Sequence, residues 1–247
     1  MKKRSIWFLA LVLAVFTFAC EEPKATVTPN QANVDFSRAK AAYDELLSYN
    51  PPETMTYAYR KLMSEAEQAK AKGDMSQAAG LAKQAEEQAV LSLKVLRDTI
   101  AKYRGQLDSA RSKIEALYPV NQSLVKRYWE MEARFAKRDF QGMDDEINII
   151  LKRIDQEGKL SVVSERSARV NAPQEYVKQW GDVRIYQEIT PDGKLKGMVD
   201  TVGDGAKLKV IKIKLFAPDA TFYFIETGIG TQGWIAEKYL ISQGSKY

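Results

Sequence analysis

Residues 89–117 read AVLSLKVLRDTIAKYRGQLDSARSKIEAL, and this stretch predicts the architecture of the helical part of the chain. Its apolar side chains alternate at spacings of four and three residues: Ala89, Leu93, Leu96, Ile100, Tyr103, Leu107, Ala110, Ile114 and Leu117. A mean spacing of about 3.5 residues is the period of left-handed, coiled-coil-like helix packing. We therefore predict one long helix from about Ser76 to Leu117. Gly105 lies off this apolar seam and is the candidate position for a bend.

Shorter helices are predicted on both sides of the long one. Pro51-Pro52 separates two helices before it, Gly73 ends the second of these, and Tyr118-Pro119 ends the long helix. Apolar residues at helical spacing identify the four shorter helices: Phe36 to Leu46, Tyr59 to Ala69, Leu124 to Phe135 and Met143 to Ile154. Residues 33–157 are thus predicted as a helical domain of about five helices.

An internal echo occurs inside this helical domain. Lys72-Gly73-Asp74-Met75 recurs 65 residues later as Lys137-Arg138-Asp139-Phe140, and each copy follows a short helix that begins after a Tyr/Pro turn. A duplicated helical hairpin explains the echo. The alternative is that any two helical hairpins share such a pattern.

The N-terminus has the pattern of an export signal. Lys2-Lys3-Arg4 precedes an apolar stretch from Ile6 to Ala19, which is shorter than the roughly 20 residues that span a bilayer. Ala19-Cys20 at its end resembles the lipobox of bacterial lipoproteins, although Thr17 stands where leucine is usual. The resemblance implies a signal peptide at 1–19, a lipid on Cys20 and a flexible tether at 20–32. A plain signal peptide and an uncleaved signal anchor are the alternatives.

The period of the apolar residues changes from helical to alternating near Trp180. Residues 158–178 show no sustained period and are predicted as a linker, and residues 179–247 as a small β-barrel. Pro191-Asp192-Gly193 and Asp204-Gly205 are turn signals. The alternation of side chains slips between Val210 and Ile211, which predicts a β-bulge.

Two parts of the chain resemble known families. Tyr49-Asn50-Pro51-Pro52, the Ala-rich helix that ends at Lys72-Gly73-Asp74, and the alanines up to Ala89 resemble an uncharacterised helical-hairpin domain of bacterial lipoproteins. Residues 180–243 resemble a bacterial SH3 domain, most specifically in Gly233-Trp234-Ile235 followed by Tyr239-Leu240. The second resemblance implies a barrel of five or six strands, and many members of that family bind peptidoglycan or its stem peptides.

Three aromatic residues of the predicted barrel are candidate ligand-binding residues. Alternation places Tyr223 opposite to Phe222 and Phe224, so Tyr223 is expected on the exposed face, and Tyr186 is the second candidate. Trp234 is the third, with packing in a small core as its alternative role. Four lysines of the predicted barrel have two alternative roles: they attract an anionic polymer, or they keep the sheet surface soluble. They are Lys207, Lys209, Lys212 and Lys214.

Composition excludes several classes of function. The chain has no histidine and one cysteine, so Ser-His-Asp and Cys-His hydrolases are excluded. Without the leader residues Lys2, Lys3 and Arg4, the 37 basic residues become 34, against 32 acidic ones, and their interleaving shows no nucleic-acid footprint. We interpret the glutamates at 65, 67, 86 and 87 as surface ion pairs rather than as a metal site.

These observations predict a non-enzymatic lipoprotein on the periplasmic side of the outer membrane, without cofactor or metal. Its expected partners are the membrane, through the lipid, and peptidoglycan or an envelope protein, through the barrel. The alternative is a structural or assembly lipoprotein that acts through coiled-coil contacts of its helices, with the barrel as a protein-interaction module. The oligomeric state is left open by the sequence.

Overall fold

The computed structural model of the protein describes residues 28–160 and 166–243. Within them, helices come first and an antiparallel sheet follows, which confirms the predicted order of α then β. The chain divides into two compact units, of which the first ends at Leu96 and the second begins at Arg97. The helices are α1 (Pro29–Ser48), α2 (Glu53–Ala71), α3 (Met75–Ala116), α4 (Gln122–Ala136) and α5 (Met143–Leu160).

The first helix begins earlier than the sequence predicts. Thr28 caps it by accepting a hydrogen bond from the backbone N–H of Gln31, and Pro29 occupies the first turn, where a missing N–H costs nothing. The last residues of the predicted tether, 29–32, are therefore helical, and Ala32 is fully buried. The signal peptide, Cys20 and the rest of the tether up to residue 27 lie outside the described residues.

The long helix α3 is continuous through Gly105. It has 42 residues, which at 1.5 Å per residue gives a length of about 63 Å. A Cβ on Gly105 would meet no atom within 4 Å, so this glycine faces open space and no neighbour forces a bend there. All seam residues except the partly buried Ile100 are buried, among them Leu96, Leu107 and Ile114. The predicted seam therefore packs within the chain itself.

Small residues bring the helices of the first unit together. Ala39 of α1 and Ala85 and Ala89 of α3 are fully buried around Tyr59 of α2. The rings of Tyr43 and Tyr59 stack with centroids 3.9 Å apart and planes within 6° of parallel. Burial raises the pKa of the Tyr59 hydroxyl to about 12, and the neighbouring Asp44 adds to this effect. Alanine at the contact positions is what allows the helices to approach so closely.

The echo in the sequence has a counterpart in backbone geometry. Gly73 and Arg138 both have positive φ, of 82° and 59°. The next N–H in each copy bonds back five residues, from Asp74 to the carbonyl of Ala69 and from Asp139 to that of Arg134, at 3.0 Å in both. The turn geometry therefore repeats at the same 65-residue offset as the sequence.

Seven antiparallel strands form one sheet in the second unit, in the order β3-β2-β6-β5-β4-β1-β7. The predicted bulge is confirmed, because the register between β4 and β5 shifts between Val210 and Lys212. The strands are β1 (Ser167–Val170), β2 (Val183–Ile189), β3 (Leu195–Val202), β4 (Lys207–Ala217), β5 (Ala220–Glu226), β6 (Gln232–Ala236) and β7 (Leu240–Gln243). A short helix α6 (Gln174–Trp180) separates β1 from β2, and a 3-10 turn (Glu237–Tyr239) lies between β6 and β7.

The segment predicted as a linker, 158–178, is largely structured. It contains the end of α5, strand β1 and most of α6. β1 pairs with β4 on one side and with β7 on the other, and its Ala168 and Val170 are buried. The interpretation as a linker is wrong for these residues, because a strand of four residues is too short to show an alternating period.

Helices and sheet of the second unit share one hydrophobic core. It contains Leu107 and Ile114 of α3, Tyr128 of α4, Ile147 of α5 and Ile213 of β4, all buried. A hydrogen bond also joins the helices to the sheet, since Arg166, next to β1, donates to the carbonyl of Ala116 at the end of α3 at 2.7 Å. The boundary between the compact units therefore lies inside α3 and not between a helical domain and a β domain.

Candidate functional site

Five residues on five adjacent strands form a continuous row across one face of the sheet. Tyr186 on β2 lies opposite Trp234 on β6, Trp234 opposite Phe224 on β5, and Phe224 opposite Lys212 on β4. On its other side, Tyr186 lies opposite Met198 on β3. Directly opposite residues of antiparallel strands project from the same face. We call these five residues the aromatic row.

The side chains of the aromatic row contact one another and remain accessible. Phe224 and Trp234 meet edge to face, with ring centroids 5.1 Å apart and planes at 61°. The ammonium of Lys212 lies 4.8 Å from the Phe224 centroid and 5.3 Å from that of Trp234, a cation–π geometry. The three aromatic residues are partly exposed and Met198 is 60% exposed. The row therefore combines flat apolar faces with a positive charge at one end.

Gly233 allows β2 and β6 to come close enough for this row to form. A Cβ at position 233 would lie 2.5 Å from Cγ2 of Ile185 and 2.8 Å from the backbone oxygen of Tyr186. Any side chain there would push the two strands apart, because such distances fall inside van der Waals contact. Glycine thus places Tyr186 beside Trp234.

A groove of about 540 Å³ adjoins the Lys212 end of the aromatic row. We call it the helix–sheet groove. Asp108 and Ser112 of α3 line one side, and Lys212, Lys214 and Trp234 line the other. It is an open surface groove and not an enclosed cavity. Trp234 and Lys212 belong both to the row and to the groove, so the two form one continuous surface.

Two side chains of α3 form hydrogen bonds with the backbone at the edge of β4, next to this groove. Glu115 accepts a hydrogen bond from the backbone N–H of Leu215 at 2.9 Å, and Arg111 donates to the carbonyl of the same residue. Arg111 and Glu115 are also paired with each other at 3.1 Å. Since β1 pairs with β4 only at residues 207–209, these side chains satisfy backbone groups that no strand covers. We call Arg111 and Glu115 the edge clamp.

Tyr223, the third candidate from the sequence, is buried and has a structural role. Only 1% of it is exposed, and its hydroxyl donates to Glu237 at 3.2 Å. Burial, together with the neighbouring Glu237, raises the pKa of Tyr223 far above its usual value. The expectation that Tyr223 is exposed is wrong, because its face of β5 packs against the core and the face of Phe224 carries the aromatic row.

Glu237 is a partly buried carboxylate between the sheet and α4. Its Oε1 accepts hydrogen bonds from the Tyr223 hydroxyl and from the side-chain amide of Gln122, the latter at 2.6 Å. Burial raises the pKa of Glu237 above its ordinary value of 4.5, although the hydrogen bonds from Tyr223, Thr221 and Gln122 oppose this effect. The raised pKa extends the pH range in which this carboxyl group, at the contact between α4 and the sheet, carries its proton.

The structure brings together two of the candidate residues, Tyr186 and Trp234, and separates them from Tyr223. Cys20 lies outside the described residues. Sequence reasoning missed Met198 and Phe224 as members of the row, and Asp108 and Ser112 as lining of the groove. Strand register and the position of α3 determine these neighbours, and neither leaves a local signal in the sequence.

The described parts of the chain contain neither a cluster of side chains suited to a metal ion nor a helix suited to span a membrane. Within residues 28–160 and 166–243, no group of three or more Cys, Asp or Glu side chains is placed to hold a metal ion. Over the same residues, no helix has both the length and the apolar character needed to cross a bilayer. Comparison of the chain with protein-family models, curated proteins and solved structures finds no match.

Proposed function

We propose that the protein is a lipid-anchored binding protein of the cell envelope, whose aromatic row binds peptidoglycan. The row is the observation that carries this proposal, because it presents three partly exposed aromatic rings side by side on one face of the sheet. Such rings supply large, rigid contact areas at low cost in conformational entropy. An envelope protein is the other ligand class that this surface suits.

An SH3-like barrel is the proposed framework of the surface. Short antiparallel strands support it, as does the run from Gly233 to Leu240, which forms β6, a 3-10 turn and the beginning of β7. This run is the part of the sequence that most specifically resembles a bacterial SH3 domain. The row uses Trp234 from that run together with Tyr186 from β2.

A lipid on Cys20 is the proposed anchor, and the periplasmic side of the outer membrane is the proposed location. The leader of the sequence supports this step, since Cys20 is the only cysteine and follows directly on Ala19. Two or three acyl chains hold a protein on a membrane stably, whereas one does not. A Cys20→Ser variant should appear in the soluble fraction, and mass spectrometry of the wild type should find acyl chains on Cys20.

The proposed activity is binding and not catalysis. The absence of histidine from the whole sequence supports this, since histidine is the most frequent general base. Release of soluble fragments from labelled peptidoglycan by the purified protein would contradict the proposal.

Co-sedimentation of the full chain with purified peptidoglycan tests the proposal directly. The wild type should sediment with the polymer, and Trp234→Ala should lower its affinity by about ten-fold or more, because truncation of a central aromatic anchor costs about 2 kcal/mol or more. Tyr57→Ala is the matched control, since Tyr57 is 67% exposed on α2. A wild-type protein that stays in the supernatant would refute peptidoglycan binding.

A second candidate function is assembly through the helices. Exposed apolar residues on α3 favour it: Val90 is 54% exposed, Leu91 55% and Val95 46%. The heptad seam is less suited to this role, because all its residues except the partly buried Ile100 are buried within the chain. Light scattering of the full chain should show a dimer that Leu91→Glu dissociates, and a strict monomer would exclude self-assembly.

A further inference from the structure

We infer that the helix–sheet groove is a binding site for a carboxylate-bearing sugar residue of a glycan chain. The inference deepens the proposed function and rests on it, since the groove shares Trp234 and Lys212 with the aromatic row. It assigns a ligand class to the groove, and it makes α3 part of the binding site instead of a spacer.

The groove contains the groups that sugar recognition requires. Trp234 offers an aromatic face, on which the C–H face of a pyranose ring stacks. Asp108 and Ser112 stand on the opposite wall as hydrogen-bond acceptors for sugar hydroxyls. The Ser112 hydroxyl already donates its proton to the carbonyl of Asp108 at 3.0 Å, so its oxygen can serve a ligand as an acceptor. An aromatic face and polar groups on opposite walls fit a ring that is apolar on its faces and polar at its rim.

The charges of the groove favour a carboxylate on the sugar. Arg104 pairs with Glu132 at 3.0 Å and, less closely, with Asp108 at 3.4 Å, and Glu115 pairs with Arg111. Across the described ranges, by contrast, no carboxylate lies within salt-bridge distance of Lys212 or Lys214. Lys212 and Lys214 are therefore the groups on the sheet side of the groove that can pair with a carboxylate, at a position away from Asp108 on the α3 side.

The edge clamp favours a glycan over an extended peptide. A peptide that adds to β4 as a strand needs the backbone N–H and C=O groups along the strand edge. At Leu215 both groups are already bonded to Glu115 and Arg111. The surface that continues from the groove is the aromatic row, which offers ring faces to a ligand and ends at Met198 on β3, the outermost strand of the sheet.

The aromatic row offers a surface on which the rest of the glycan ligand can lie. Neighbouring strands lie about 4.8 Å apart, so the three strand steps from Lys212 to Tyr186 span about 14 Å. That length suits a short oligosaccharide. The carboxylated residue would lie in the groove between Lys212 and Lys214, and the following sugars would stack on Trp234 and Tyr186.

Isothermal titration of the full chain in detergent tests the inference with two matched oligosaccharides. The first is a hexasaccharide of alternating glucuronate and N-acetylglucosamine, and the second is a hexasaccharide of N-acetylglucosamine alone. The wild type should bind the carboxylated probe about ten-fold more tightly, because Lys212 and Lys214 can form charge-assisted hydrogen bonds with its carboxylates. Equal affinity for both probes, or no binding of either, would overturn the inference.

Variants connect the preference to the groove. The double variant Lys212→Gln/Lys214→Gln should lower the affinity for the carboxylated probe to that for the neutral one, and Trp234→Ala should weaken both. Lys209→Gln is the matched control, since Lys209 lies on the same strand, opposite Glu226 and outside the groove. Loss of the preference in Lys209→Gln, or its persistence in the double variant, would refute the assignment.

The outcomes separate this inference from the proposed function. If the full chain co-sediments with peptidoglycan but does not distinguish the two hexasaccharides, the aromatic row binds the polymer and the carboxylate site is wrong. If a hexaglutamate peptide binds through Lys212 and Lys214 and the carboxylated sugar does not, the ligand is an acidic peptide and the glycan is refuted.

Discussion

Tyr186 lies directly opposite Trp234, although 47 residues of sequence separate them, and this pair connects the β2–β3 hairpin to the rest of the sheet. Their approach depends on Gly233, where a Cβ would lie 2.5 Å from Ile185. The candidate binding surface and the contact that joins β2 to β6 therefore depend on the same residues.

Replacing Gly233 tests whether the contact between β2 and β6 requires glycine. Gly233→Ala should destabilise the protein by about 1–3 kcal/mol, because the added methyl overlaps Ile185 and the backbone of Tyr186. Urea unfolding followed by tryptophan fluorescence measures the change. Gly228→Ala is the control, since a Cβ at that position meets no atom within 4 Å. Equal midpoints for the two variants would show that β2 and β6 do not depend on glycine.

Removing Glu115 from the edge clamp should leave the backbone N–H of Leu215 without its hydrogen-bond acceptor. Glu115→Ala leaves the N–H of Leu215 without its acceptor, at a cost of about 1–3 kcal/mol. Glu115→Gln retains a side-chain oxygen and should cost less. Hydrogen exchange at Leu215 is the direct measurement, and it should accelerate in Glu115→Ala and stay slow in the control Glu87→Ala on exposed α3 surface. Unchanged exchange at Leu215 in Glu115→Ala would contradict the hydrogen bond.

Glu237 should give the protein a stability component that depends on pH. Because burial raises its pKa in the folded state, this carboxyl group holds its proton in the folded protein at pH values where it has lost it in the unfolded chain. Its contribution to stability is thus fully present below pH 4.5 and is lost as the pH rises through the folded-state pKa.

Comparison with Glu237→Gln isolates this component. The unfolding free energy of the wild type minus that of Glu237→Gln should decrease as the pH rises from below 4.5 towards neutrality. Glu87→Gln, at an exposed position, serves as the control. A difference that stays constant over this range, or that grows with pH, would show that the carboxyl group is not desolvated.

The tyrosine pair of the first unit should be a principal source of its stability. Tyr59→Ala removes a ring that is 5% exposed and stacked 3.9 Å from Tyr43, so we expect a loss of about 3 kcal/mol. Hydrogen exchange in α1 and α2 should accelerate in Tyr59→Ala and not in Tyr57→Ala, which alters an exposed side chain. Equal protection in both variants would exclude the stack as a stabilising contact.

The sequence predicts the helices well because their apolar residues repeat over many turns. The apolar seam gives nine positions at regular spacing, eight of them in α3, and Gly73 and Pro119 mark helix ends. The bulge in β4 is also predictable, since the slip of alternation between Val210 and Ile211 appears directly in the order of residues.

The candidate site is less predictable because it depends on contacts between distant residues. β5 is apolar on both faces, so its alternation does not reveal that Tyr223 faces the core and Phe224 the aromatic row. β1 is too short to show a period. The proximity of Asp108 to Lys212 follows from packing of α3 on the sheet, which no local pattern encodes.

Hydroxyl-radical footprinting of the full chain with and without peptidoglycan tests the central claim most directly. Binding through the aromatic row predicts that Met198, Tyr186 and Trp234 become protected together, whereas Tyr57, which is more exposed than Met198, stays reactive. A protein that binds the polymer while Met198 and Trp234 remain as reactive as in the free state would contradict the claim.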